Sequence, residues 1–156
     1  MLLNKFNLSV LFILISFNCH KEQNQIIISG NWYNFIEKPS ENYFYVETFI
    51  SEDYFQYFTD FGTLMPRTSY YLKNDVLFKN NKEGKIVFLD DNTFQIINNY
   101  ETITLKRILD TITLEDYINN HVSKNIYWEA FTKRRLYWEK HGVLPEKNVY
   151  PTEKNN

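Results

Sequence analysis

The chain has 156 residues with 17 basic and 19 acidic side chains, a formal net charge of −2, and a composition 44% hydrophobic and 18% aromatic. That is one domain's worth of chain with ample apolar material for a core, and only four glycines and four prolines argue against a low-complexity or disordered chain. Near-neutral charge gives no bulk attraction to nucleic acid, and a single cysteine, Cys19, excludes an internal disulfide and a cysteine-based metal site.

Residues 1–18 have the layout of a secretory leader, with Lys5 as its positive start and Leu8 to Phe17 as a ten-residue apolar run. Ten residues are too few for a spanning helix, which needs about 20. The segment Ile15-Ser16-Phe17-Asn18-Cys19 resembles the lipobox of bacterial lipoproteins. The resemblance implies cleavage before Cys19, acylation of its thiol and new amino group, and anchorage in a membrane of the bacterial cell envelope. The outer membrane, on its periplasmic or surface side, is the expected address. An uncleaved N-terminal anchor with an inert thiol is the alternative. Residues 19–25 then make up the lipidated cysteine and a polar tether. Lys21-Glu22 is similar to the Lys-acidic signal by which some bacterial groups send lipoproteins to the cell surface, and a solvated linker explains it equally well.

From Ile26 to Leu109 the periodicity is that of strands. Ile26, Ile28, Gly30 and Trp32 share one face at a spacing of two. After a loop around Pro39, Tyr43 to Ile50 is dense in aromatic and β-branched residues. Glu52-Asp53 turns the chain into Tyr54 to Thr59, and a looser connection through Gly62 and Pro66 leads to Ser69 to Lys73. Asn74-Asp75, a pair that tolerates positive φ, predicts a tight hairpin with Val76 to Lys79. Further turns at Lys82-Glu83-Gly84, Asp90-Asp91-Asn92 and Asn98-Asn99 separate Ile86 to Leu89, Phe94 to Ile97 and Thr102 to Leu109. Short strands with such regular turns predict a mainly β fold: a small antiparallel up-and-down barrel or sandwich over residues 26–109.

The period changes in residues 110–142. Thr113-Leu114-Glu115-Asp116 has the pattern of a capping box, and Leu114, Ile118, Val122 and Ile126 step by four along one stripe. Ser123-Lys124-Asn125 allows either one long helix or two, ending before Gly142 with Lys140 and His141 in the last turn. Residues 143–156 read as a polar tail.

The Gly30-Asn31-Trp32 of the first strand resembles the lipocalin-like barrels, whose first strand carries a Gly-x-Trp. In that family the tryptophan plugs the closed end and a basic residue of the last strand lies across it. The residues themselves supply a match, because Ile103, Leu105 and Leu109 share a face with Arg107. An arginine on an apolar face needs a partner, and stacking on an indole is worth roughly 0.5 to 2 kcal/mol. Trp32 and Arg107 are therefore the expected barrel-closing pair, and the C-terminal helix is expected to pack on the barrel.

Residues that could carry chemistry are sparse. Glu52-Asp53 and Asp90-Asp91 sit in turns and Glu115-Asp116 in a helix cap, so none makes a convergent acid–base pair alone. His20, His121 and His141 are not at metal-ligand spacing, and no serine elbow or glycine-rich phosphate loop occurs. The chain is accordingly expected to be no enzyme and to use no metal or cofactor. Of the aromatic run from Tyr43 to Phe61, half should face the core, and Tyr43, Tyr45 and Tyr57 are assigned outward. There they could meet a glycan, a partner protein or, preferably, the C-terminal helix. Residues 124–140 hold five basic and two acidic side chains. Lys133, Arg134, Arg135 and Trp138 thus form either a contact for an anionic surface or a solvated face. Two functions remain open: an envelope interaction module with a solid barrel, or a carrier of a small apolar ligand or lipid in an open one.

Overall fold

The computed structural model describes residues 27–37 and 43–143. The leader, Cys19, the tether with His20, and the tail beyond residue 143 lie outside them. Eight antiparallel strands follow one another around a closed barrel: β1 (Gly30–Glu37), β2 (Tyr43–Ile50), β3 (Tyr54–Thr59), β4 (Thr68–Lys73), β5 (Val76–Lys79), β6 (Lys82–Asp90), β7 (Thr93–Ile97) and β8 (Thr102–Arg107). Closure comes from pairing of β1 with β8 at Trp32–Arg107 and Tyr33–Lys106. The fold is thus the expected up-and-down barrel.

Alternation along the strands decides what fills it. Trp32 of β1, Ile50 of β2, Phe55 of β3, Leu77 of β5, Phe94 of β7 and Leu105 of β8 all belong to one buried interior cluster. Gly84 of β6 belongs to this interior layer. A Cβ there would stand 2.6 Å from Ile96 Cγ2, so the glycine makes room for a neighbour's methyl group.

Turn chemistry moves one boundary. The chain reverses at Asn80-Asn81, both with positive φ (51° and 59°), rather than at Lys82-Glu83-Gly84, which belongs to β6. Two asparagines in that conformation make a tighter hairpin than the glycine three residues later. Asn74 has φ 57°, as the Asn74-Asp75 hairpin requires. The connection after β3 folds back along it: Leu64 bridges to Phe58, and Met65 N–H donates to the Tyr57 carbonyl. Consequently β4 pairs with β3 at two positions, Phe55–Thr68 and Tyr54–Ser69.

Two helices follow, α1 (Leu114–Ile118) and α2 (Lys124–His141). Thr113 and Asp116 form the full reciprocal capping box. Asn120, at φ 59°, ends α1, and Ser123 caps α2 by accepting from Ile126 N–H. Gly142 closes α2 at φ 70°. The four-step stripe fails at that break, leaving Leu114 buried and Ile126 exposed. His121 falls between the helices, 3.7 Å from Asp116. Both helices cover the wall made by β1, β2 and β3, where Tyr33, Tyr45, Phe49 and Phe58 pack on Leu114, Tyr127 and Phe131.

Candidate functional site

The most heavily bonded constellation sits between α2 and the barrel. Glu47 of β2 is fully buried on the strand face shared with Tyr45 and Phe49, and Arg134 of α2 is fully buried above it. Arg134 Nε and Nη2 donate to the two Glu47 carboxylate oxygens at 2.6 and 2.9 Å. Its Nη1 donates to Asp110 Oδ2 at 2.7 Å and to the Ile112 carbonyl at 2.8 Å. Tyr45 and Tyr127 hydroxyls also donate to Glu47. Burial, then the Glu47 charge, raises both hydroxyls well above the usual tyrosine range. Burial alone would lower the Arg134 pKa, but Glu47 outweighs it and holds the guanidinium charged. Such a pair, saturated with hydrogen bonds, fixes the helix in register on the wall. Arg134 therefore cannot belong to a surface contact, which corrects its expected place. A long cation was assigned to solvent because nothing in α2 alone reveals the carboxylate beneath it.

The rest of that stretch divides. Lys133 is exposed, and Arg135 pairs with Glu139 at 3.0 Å along the helix. Trp138 packs on Phe35, with ring centroids 5.1 Å apart, and on Tyr45. Of the tyrosines assigned outward, Tyr45 meets the helix, whereas Tyr57 packs with the interior cluster; Tyr43 offers no described side chain.

The second constellation lies where β1 begins and β8 ends. The Arg107 guanidinium stands 4.3 Å over the Trp32 ring centroid, Trp32 Nε1 donates to the Ile28 carbonyl at 2.8 Å, and Phe94 meets the indole edge-on at 4.6 Å. Gly30 has φ +129°, and a Cβ on it would lie 2.9 Å from Arg107 Nη1. In the Gly-x-Trp, the glycine thus supplies a backbone conformation and clearance for the arginine, while the tryptophan supplies the face it rests on.

The third is on the β4–β5 hairpin. Tyr71 and Phe78 are opposed across it and stack with their rings nearly parallel, 5° and 4.8 Å apart, on the outer face. Tyr71 keeps 60% exposure. They border a pocket of about 260 Å³ lined also by Ser69, Tyr70, Lys79, Asn80, Asn81 and Lys82. Lys79 turns its amine inward, between the Phe55 and Tyr57 rings at 4.8 and 4.7 Å, and donates to the Tyr57 hydroxyl. Burial lowers the Lys79 pKa, with Glu101 opposing and Lys82 adding, and burial pushes Tyr57 up to about 12. Sequence reasoning passed over Tyr71 and Phe78. Their signal was the Asn74-Asp75 turn, whose two-residue register sets position 71 opposite 78.

Among the described residues, no group of three His, Asp, Glu or Cys side chains is placed to hold a metal, and no helix is long and apolar enough to cross a membrane. Chemically, the site offers an amine, a neutral phenol, amides and exposed aromatic faces, which is equipment for recognition. Compared with known proteins, the chain matches no family model, no curated protein and no solved structure.

Proposed function

We propose that this protein is a bacterial envelope lipoprotein, held in a membrane by acyl chains on Cys19, and that it works as a non-enzymatic interaction module. Its lipocalin-like barrel serves as a rigid support, and the partner, an envelope protein or a glycan, meets the outer surface of the β4–β5 hairpin. The observation that carries this reading is a contrast in burial. Trp32, Ile50 and Phe94 are fully buried in the interior, while Tyr71 stands 60% exposed on the hairpin. Single exposed apolar residues are ordinary, and a parallel stacked pair beside a pocket supports recognition at this hairpin.

Expression in a bacterium with a photo-crosslinking amino acid at position 73, exposed on the same strand face as Tyr71, tests the reading. Wild-type chain should begin at an acylated Cys19, partition with membranes and crosslink to an envelope component, and Cys19→Ser should lose acylation and partition. A chain that keeps its leader unacylated contradicts the anchor. An anchored chain that crosslinks to nothing contradicts the module.

A further inference from the structure

We infer that the β4–β5 hairpin binds an acidic sugar residue of an envelope polysaccharide, a step that rests on the interaction-module reading. Three features of the same patch argue for it. First, the exposed Tyr71 ring stacks parallel on Phe78, 4.8 Å away. A flat aromatic face suits the apolar C–H face of a pyranose ring, and a tyrosine, with two side-chain torsions, loses little conformational entropy on binding. Second, the pocket beside it, at about 260 Å³, is below the usual size for a drug-like ligand and suits one sugar unit of a longer chain left in solvent.

Third, its polar groups suit a sugar acid. The pocket lining carries the exposed Lys82 and the amide side chains of Asn80 and Asn81 and no Asp or Glu, while Lys79 turns its amine away to Tyr57 and Glu83 lies across from Phe78. Both asparagines hold positive-φ turn geometry and stand exposed at the end of the hairpin. Amides pair with sugar hydroxyls, and the Lys82 amine pairs with a carboxylate. A neutral apolar ligand would use neither. A protein partner would be expected to cover a far wider area than this one pocket.

The test is binding of the full chain, purified in detergent, to immobilised oligosaccharides. The panel contains glucuronic, galacturonic or sialic acid on one side and only neutral hexoses on the other. Retention on acidic members is expected, weakening with added salt. It should fall at least tenfold in Tyr71→Ala, fall severalfold in Lys82→Ala, and be largely kept in Tyr71→Phe, all with unchanged thermal unfolding. Failure to bind any member, equal binding to neutral members, or full binding by Tyr71→Ala overturns the inference. A protein crosslinked at position 73 alongside a blank panel would remove the sugar while leaving the interaction module standing.

Discussion

Glu47 and Arg134, 87 residues apart in sequence, meet as a fully buried two-point ion pair that fastens α2 to the barrel. Removing either partner alone leaves a buried charge without its counter-ion, which typically costs about 3–5 kcal/mol. Glu47→Ala and Arg134→Met are each expected to lose stability on that scale. The double variant should lose less than their sum, with a coupling of roughly 1–3 kcal/mol. Urea unfolding of the four chains measures this, and additivity would contradict the clamp.

Gly30 and Arg107 test the barrel end. Gly30→Ala forces an alanine to φ +129° and brings its Cβ against Arg107, an effect of roughly 1–3 kcal/mol. Arg107→Met relieves the contact but not the dihedral, so Gly30→Ala should remain destabilising in that background. Arg107→Met itself should lower the free energy of unfolding by roughly 0.5–2 kcal/mol through the lost stacking on Trp32.

Thr48 sits fully buried, and its hydroxyl has no hydrogen-bond partner among the described residues. Valine has the same shape without the polar atom and is equally suited to a strand. Thr48→Val is expected to stabilise the chain by about 1 kcal/mol, read as a higher urea midpoint with unchanged slope. A loss of stability would mean that the hydroxyl is in use.

Alkali should unfold the protein through its buried phenols. A pKa raised in the folded state means the unfolded chain releases the proton first. Stability is then complete below about pH 10 and lost as pH rises toward and through 12. For Tyr57, the rise from 10.0 to about 12 corresponds to roughly 3 kcal/mol. Lys79, lowered by burial, acts oppositely as it discharges below its usual 10.5. Tyr57→Phe should therefore lose less stability than wild type between pH 9 and pH 12 in urea titrations. Equal losses would contradict the burial of that hydroxyl.

Much of this architecture was legible because strand alternation is a strong local signal. Arg107 stood out as a charge on an apolar face, and the capping box at Thr113 and Asp116 is contained within four residues. What escaped depends on two elements at once. Glu47 lies between Tyr45 and Phe49 on one strand face, the same anomaly that singled out Arg107, yet its partner is on a helix 87 residues away. Gly84 read as a turn because glycine usually marks one, while its role is set by Ile96 on the neighbouring strand. Tyr57 was placed on the outer face although it follows Phe55 at the inward spacing of two.

In the proposed function the barrel is occupied by its own side chains and recognition belongs to the outer face. Native mass spectrometry of the full chain extracted from membranes tests it most directly. The expected result is the chain with its Cys19 acyl chains and no further apolar ligand. A stoichiometric lipid or other apolar molecule retained by the folded chain, and released on unfolding, would contradict it and make the protein a carrier.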